Sequence, residues 1–343
     1  MAILTELYVA TRTRNVADAD TDDPPKLIVN RGATTVFSDK LLGGNGQFNR
    51  AAGGVTRFDL SRANIDSANL SFELQPTGND AWSPEHVIIW GISKTRTGEE
   101  RVIPLAAFLD LATPVTPADG GRWLSLDTSE GDQALAIPSV GRGSNATRAR
   151  RVIVIVATAI YGGMLTGTQG PGGKVADAGS DGPVTLQGGG AGRLFLSYTL
   201  PATPQGDLGE GAGAFYIVDL AARFGRADLA GGAFTLTIGS EDWWVPEYFA
   251  VFGVDTEIGG PKVLIPFVAA GAPELKRMSS DPSEGVHSFV LPTARVLPSL
   301  NLPPDAVDPD EIGGVSAARR RARAKVARPR EKVAKGRAKR RRK

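Results

Sequence analysis

Residues 79–93, NDAWSPEHVIIWGIS, return at 241–255 as EDWWVPEYFAVFGVD. No other feature constrains the fold as strongly. A turn, a Trp, a Pro and an apolar run recur in one order, so one structural unit is built twice. Without a gap, Phe72 faces Phe234, Leu74 faces Leu236, Asp80 faces Asp242 and Trp82 faces Trp244. Pro84, Glu85, Trp90 and Gly91 face Pro246, Glu247, Phe252 and Gly253, and Pro104 faces Pro266. Upstream, FDLSRANIDSANLSFEL (58–74) faces VDLAARFGRADLAGGAFTL (218–236). YVATRTRNVADADTDDP (8–24) is set against IVATAIYGG…KVADAGSDGP (155–183). Downstream, LSLDT (124–128) is set against FVLPT (289–293). A period this long gives two domains, not a solenoid. Their expected spans are 1–148 and 149–296, each large enough to fold alone.

Between frequent Gly and Pro lie short β-branched or alternating runs: ELYVAT, KLIVN, NLSFELQ, HVIIWGI, VIVIVATAIY. Little of the chain keeps a 3.6-residue period. Short strands divided by turn residues predict an all-β protein of two tandem antiparallel β-sandwiches. The run at 86–92 is apolar on both faces, as in a central strand covered on both sides. Trp82 and Trp244 are expected to plug the ends of the two cores. Trp243 faces Ala81, so the fold does not require a Trp there, and it is a candidate surface or membrane contact.

Within each unit, an Ala-Asp-Thr-Asp loop or its relic is followed later by Asp-x-Trp-x-Pro before an apolar strand. In this the chain resembles the PLAT/LH2 β-sandwich family over most of residues 5–272. The second unit departs from the pattern with VADAGSDGP and an insertion near 163–174. The resemblance implies eight-stranded antiparallel sandwiches without a catalytic centre. Such modules dock on lipid or a protein partner, sometimes through calcium at loop tips.

Asp18, Asp20, Asp22 and Asp23 crowd one loop, and hard cations take six to eight oxygens. If folding sets Asp80 beside them, calcium becomes a candidate cofactor. Asp177, Asp181 and Asp242 are the second-unit counterparts. The competing reading is a solvated loop whose Asp side chains cap turns. The 18–20–22 spacing is not an EF-hand, because the sixth position lacks Gly and the twelfth is Val29.

The net charge of +2 hides a segregation. Residues 319–343 carry fifteen Lys/Arg against Glu331, a net +14; the other 318 residues carry 24 basic and 36 acidic groups, a net −12. Residues 297–316 read as a Pro/Asp-rich linker. Residues 317–343 read as a disordered tail with nothing to bury. Arg319, Arg320, Arg321, Arg323, Lys325, Arg328 and Arg330 are its candidate polyanion contacts, with Lys339, Arg340, Arg341, Arg342 and Lys343 at its end. Such a tail releases counterions from nucleic acid or settles on anionic lipid. It has no aromatic ring for base stacking.

Several chemistries find no support. Cysteine is absent, which removes disulfides and thiolate sites. Of two histidines, His86 faces Tyr248 and reads as structural. No Gly-x-Ser-x-Gly occurs. GRGSNA (141–146) precedes a strand pattern rather than the helix that a dinucleotide site needs. No apolar run is long enough to span a bilayer as a helix, and the N-terminus lacks a signal pattern, so the expected location is the cytoplasm. The functional expectation is a non-enzymatic protein whose loop tips dock on lipid or a protein partner, with the tail adding electrostatic grip. The alternative is a nonspecific nucleic-acid-binding protein in which the tail does the binding and the sandwiches assemble.

Overall fold

The computed structural model describes residues 2–41, 48–95, 98–109, 123–142, 148–158, 179–180, 182–190, 192–201, 208, 213–229, 232–255, 263–271 and 275–294. The fold is all-β, and among the described residues its strands pair antiparallel apart from β10 with β17, with two further isolated parallel bridges, Leu124 to Asp132 and Met278 to Val286. Among the described residues the helical content is a single 3₁₀ turn, Arg226–Leu229, and no helix is long and apolar enough to cross a membrane.

The first half contains β1 (Ile3–Thr13), β2 (Lys26–Arg31), β3 (Thr34–Lys40), β4 (Gly53–Asp59), β5 (Ile65–Asp66), β6 (Leu70–Gln75), β7 (Pro84–Lys94), β8 (Glu100–Leu109), β9 (Leu135–Ile137) and β10 (Gly141–Arg142). The second contains β11 (Ala149–Thr158), β12 (Val184–Gly190), β13 (Arg193–Leu200), β14 (Gly213–Phe224), β15 (Ala233–Ile238), β16 (Pro246–Asp255), β17 (Val263–Gly271) and β18 (Ser288–Leu291). In the first half, sheet β3-β2-β6-β9 covers one face of β4-β1-β7-β8; in the second, β13-β12-β15-β18 covers one face of β14-β11-β16-β17.

The alternation of each strand assigns its faces. On β6, Leu70, Phe72 and Leu74 are buried while Ser71 is exposed, as a sheet with one wet face requires. On β7 both faces are buried. Val87 and Ile89 enter the first sandwich core, and Ile88, Trp90 and Ile92 enter a different core. That third core lies between the halves. It joins Tyr8, Ala10 and Trp90 to Ile153, Ile155, Tyr248, Ala250 and Phe252. The inner sheets thus pack on each other as well as on their outer sheets, and the molecule has four layers.

Two devices hold the inner layers together. β4 meets β14 at a single pairing, Gly53 with Gly213, which makes one continuous sheet of the two. A Cβ on Gly213 would lie 2.7 Å from Gly54 Cα, so only glycine lets the backbones approach this closely. On the opposite edge, Ala107 N donates to Pro138 O at 2.9 Å and Val140 N to Leu105 O at 3.1 Å. The chain then runs into β10, which pairs with β17. Residues 138–142 therefore lace β8 to β17.

Strand registers recur between the halves. Trp90 pairs with Pro104 and Phe252 with Pro266, each after the same irregularity in the ladder. Two sequence alignments need correction. Trp82 Nε1 donates to Thr13 Oγ1 and Trp244 Nε1 to Thr158 Oγ1, both at 2.9 Å. Thr158 therefore corresponds to Thr13, not Thr11. Leu124 bridges Trp82 as Met278 bridges Trp244. LSLDTSEG (124–131) is therefore equivalent to MSSDPSEG (278–285), and FVLPT matches LAIPS (135–139) instead. The matched loops bond alike: Ser125 Oγ donates to Asn79 O and Ser279 Oγ to Glu241 O.

Candidate functional site

The corrected register places Arg12 opposite Ala157 and Val55 opposite Phe215. Arg12 is paired with His86 and Gly53, and Ala157 with Tyr248 and Gly213. Val55 pairs with Ala10, and Phe215 with Ile155. These positions stand at the two ends of the core between the halves, and the ends differ.

At the first end, Glu85 opens β7 and meets Arg12, with Nε 2.9 Å from Oε2. The contact is an ion pair rather than a hydrogen bond, since the Nε–H is not aimed at that oxygen. Arg12 also donates to Phe215 O across the halves. The Phe215 ring lies 5.0 Å from His86. A guanidinium and two rings close this end.

At the second end, Glu247 opens β16 in the equivalent place, but Ala157 supplies no cation and Val55 no ring. The space left is a cleft of about 1000 Å³. Tyr8 and Tyr248 line it, their rings 4.8 Å apart. Beneath them Trp90 stacks on Tyr8 and donates to Tyr248 Oη at 3.0 Å. Ile92, Val102, Ala157 and Ala269 give the cleft apolar wall; Glu6, Arg57, Lys94, Glu100 and Arg226 give it a charged rim.

Glu6 collects the cations of that rim. Arg57 reaches both its oxygens, at 2.8 and 3.2 Å, Tyr8 Oη donates at 2.7 Å, and Lys94 Nζ lies 3.7 Å away. Burial acts upward on the Glu6 carboxyl, yet the Arg57 and Tyr8 bonds outweigh it and hold the group below its ordinary value. Burial, helped by the charge of its neighbours, holds the Tyr8 phenol well above its ordinary range. Lys94 also binds Glu100 at 2.8 Å, which lifts its ammonium above the usual value.

Glu247 is treated differently. It is 8% exposed and no hydrogen bond reaches its carboxyl among the described residues. Burial pushes it up to about 7, against a smaller downward pull from Arg57. At neutral pH it is poised between acid and carboxylate, facing the cleft.

The sites expected from sequence lie elsewhere. Folding does bring the acidic loop to the Asp80 turn. Asp80 Oδ2 accepts from Asp22 N at 3.0 Å, and Thr21 Oγ1 donates to Asp80 O at 3.2 Å. Here Asp80 works as a turn acceptor. Asp18 and Asp20 are exposed; Asp23 is half-buried, its amide held by Thr21 Oγ1. Asp242 is exposed, and its carbonyl accepts from Ser180 Oγ. Asp177 and Asp181 lie outside the described residues. Among the described residues no three His, Asp or Glu side chains converge as a metal site would need.

Trp82 and Trp244 are buried in the two sandwich cores. Trp243 is half-buried, with the Arg277 guanidinium 4.5 Å over its ring. His86 is buried between the halves and His287 is exposed. The exposed large apolar side chains, Leu126, Leu194 and Val290, sit on one loop and on β13 and β18, which are opposite edges of one sheet. The basic tail from Arg319 to Lys343 lies outside the described residues.

Sequence reading missed the cleft entirely. One signal was available: correctly registered, the repeat shows Arg12 becoming Ala157 while Glu85 stays Glu as Glu247. The two-residue slip hid that substitution by setting Arg12 against Ala159.

No protein-family model matches the chain, and no curated protein matches it. Among the solved structures that match is the alpha toxin from Clostridium absonum, 18% identical, with a TM-score of 0.27. The match covers 39% of this chain and 31% of the toxin chain, so most of both is unmatched.

Proposed function

We propose that this protein binds a small amphipathic ligand in the cleft between its halves, as a receptor or carrier rather than an enzyme. One observation carries the reading: the carboxyl of buried Glu247, with no hydrogen-bond partner among the described residues, faces a cavity walled by two tyrosines. A cavity of this size and mixed lining suits a small molecule. Acid–base catalysis by a carboxyl pair needs a second, available carboxylate. Glu6 is not available, since Arg57, Tyr8 and Lys94 occupy it, Glu100 is tied to Lys94, and Glu99 is paired with Arg101. The reading moves the expected docking surface from the loop tips, where Arg277 covers Trp243, into the interior.

Saturation-transfer NMR with cationic, neutral and anionic amphiphiles tests it against Val55→Phe, which puts a ring where Phe215 stands at the other end. At least one class should receive transfer from the wild type and none from the variant. Transfer to no class, or equal transfer in both proteins, would overturn the reading.

The charge segregation favours a second activity, electrostatic attachment of the tail to polyanions. Duplex DNA gel shifts and flotation with anionic vesicles should both weaken with salt. They should disappear for a chain ending at Val315. Binding that survives that truncation would assign it to the sandwiches instead.

A further inference from the structure

We infer that the ligand's head group is an organic cation, a guanidinium or primary ammonium on an apolar body, seated against Glu247. The inference rests on the cleft reading and supplies its chemistry. The molecule contains its own template. At the closed end the equivalent carboxylate, Glu85, is met by a guanidinium at 2.9 Å, and that guanidinium also bonds the carbonyl of Phe215, whose ring lies against His86. At the open end the carboxylate is kept, the guanidinium is removed, and the aromatic wall becomes Tyr8 and Tyr248. A cation that enters takes the place of the Arg12 side chain. It gains an ionic partner and a place beside the two tyrosine rings that line the cleft, whose π-electrons and phenol oxygens attract positive charge.

The cations of the rim do not fill this role. Arg57 and Lys94 are committed to Glu6 and Glu100, and Arg226 is bonded to Pro266 O. Around Glu247 the titratable groups facing the cleft are Glu6, Tyr8, Arg57 and Lys94 from β1, β4 and β7. Glu99 and Glu100 face it from the β8 side, Arg226 from the 3₁₀ turn and Tyr248 from β16. Of these, only Arg57 contributes to Glu247's displacement, and it pulls downward. Pairing with a cation requires ionised Glu247, so binding at mildly acidic pH releases a proton.

The test is calorimetric titration of the full chain with n-hexylguanidinium, n-hexanol and hexanoate at pH 8 and pH 6. Hexylguanidinium should bind, and about tenfold more weakly at pH 6, following the ionised fraction of a group near 7. Proton release at pH 6 should vary with buffer ionisation heat. Glu247→Gln should weaken binding at least about tenfold and erase its pH dependence, and Ala157→Arg should abolish it by supplying the guanidinium internally. Thermal melts establish that both variants are folded. Hexanol or hexanoate binding as well as the cation, with loss in Val55→Phe, overturns the cation assignment but leaves the cleft reading standing. Binding of none of the three overturns the inference. Cation binding unchanged in both Glu247→Gln and Ala157→Arg overturns it too.

Discussion

The two ends of the core between the halves begin from equivalent strands and arrive at opposite properties. Where Arg12 and Phe215 stand, the end is closed, ion-paired and bonded across the halves. Where Ala157 and Val55 stand, a carboxyl has no ion-pair partner among the described residues and a cavity opens. Strand order, register and even the starting Glu are common to both. Two truncated side chains suffice to turn a sealed contact into a cleft. Matching strand registers set the scaffold of both halves, and the proposed site lies where equivalent positions differ.

The largest expected effect comes from breaking the closed end. Arg12→Ala leaves Glu85 without its cation and removes the bond to Phe215 O. Because the pair is about one-quarter exposed, the loss should be about 3 kcal/mol, at the low end for buried pairs. Urea denaturation at pH 7 measures it; a loss below about 1 kcal/mol would mean that the closed end is not held by this pair.

Next comes the pH dependence of the open end. Folding raises the Glu247 carboxyl from 4.5 to about 7. The folded state therefore holds the proton more tightly than the unfolded one. Stability from this group is complete below about pH 4.5 and declines as pH rises through 7. Glu247→Gln removes that decline. The variant should be about 3 kcal/mol more stable than the wild type at pH 8 and unchanged at pH 4, by urea denaturation at both. A variant equally altered at both pH values would contradict the upward displacement.

A smaller gain should follow from making the ends alike. Ala157→Arg extends a side chain into existing space and gives Glu247 a counter-ion, for about 1 kcal/mol at pH 8. Destabilisation would show that the cleft is not shaped for a guanidinium.

The smallest effect is a difference expected to be near zero. Trp82 and Trp244 make the same bond, to Thr13 and Thr158, deep in separate cores. Trp→Phe at either should cost about 1 kcal/mol for the lost bond, plus some packing. The two losses should agree within about 0.5 kcal/mol. A wide gap would show that the asymmetry extends beyond the core between the halves.

Much of the scaffold could be read from sequence, because strands declare themselves locally. The alternation of Leu70, Phe72 and Leu74 gives a one-faced strand, and the unbroken run from Val87 to Ile92 gives a two-faced one. Trp82 and Trp244 were legible as plugs. The layer between the halves was not, since it forms between residues that are far apart along the chain, such as Tyr8 and Tyr248. The slip from Thr13 to Thr11 has a physical cause as well. Side chains on a strand repeat every two residues, so a shift of two preserves every buried and exposed position. The Trp hydrogen bonds and the ladder partners, Arg12 with His86 and Ala157 with Tyr248, distinguish the registers. With the register lost, the exchange of Arg12 for Ala157 could not be seen, and neither could the cleft.

The layer shared by the halves also shapes how the chain must be made. When only the first half has emerged from a ribosome, Tyr8, Ala10, Ile88, Trp90 and Ile92 form a broad greasy wall with nothing yet to cover it. That wall finds its mate only after β11 and β16 have been synthesised. Until then the nascent protein is a target for chaperones and for its own neighbours on the same message.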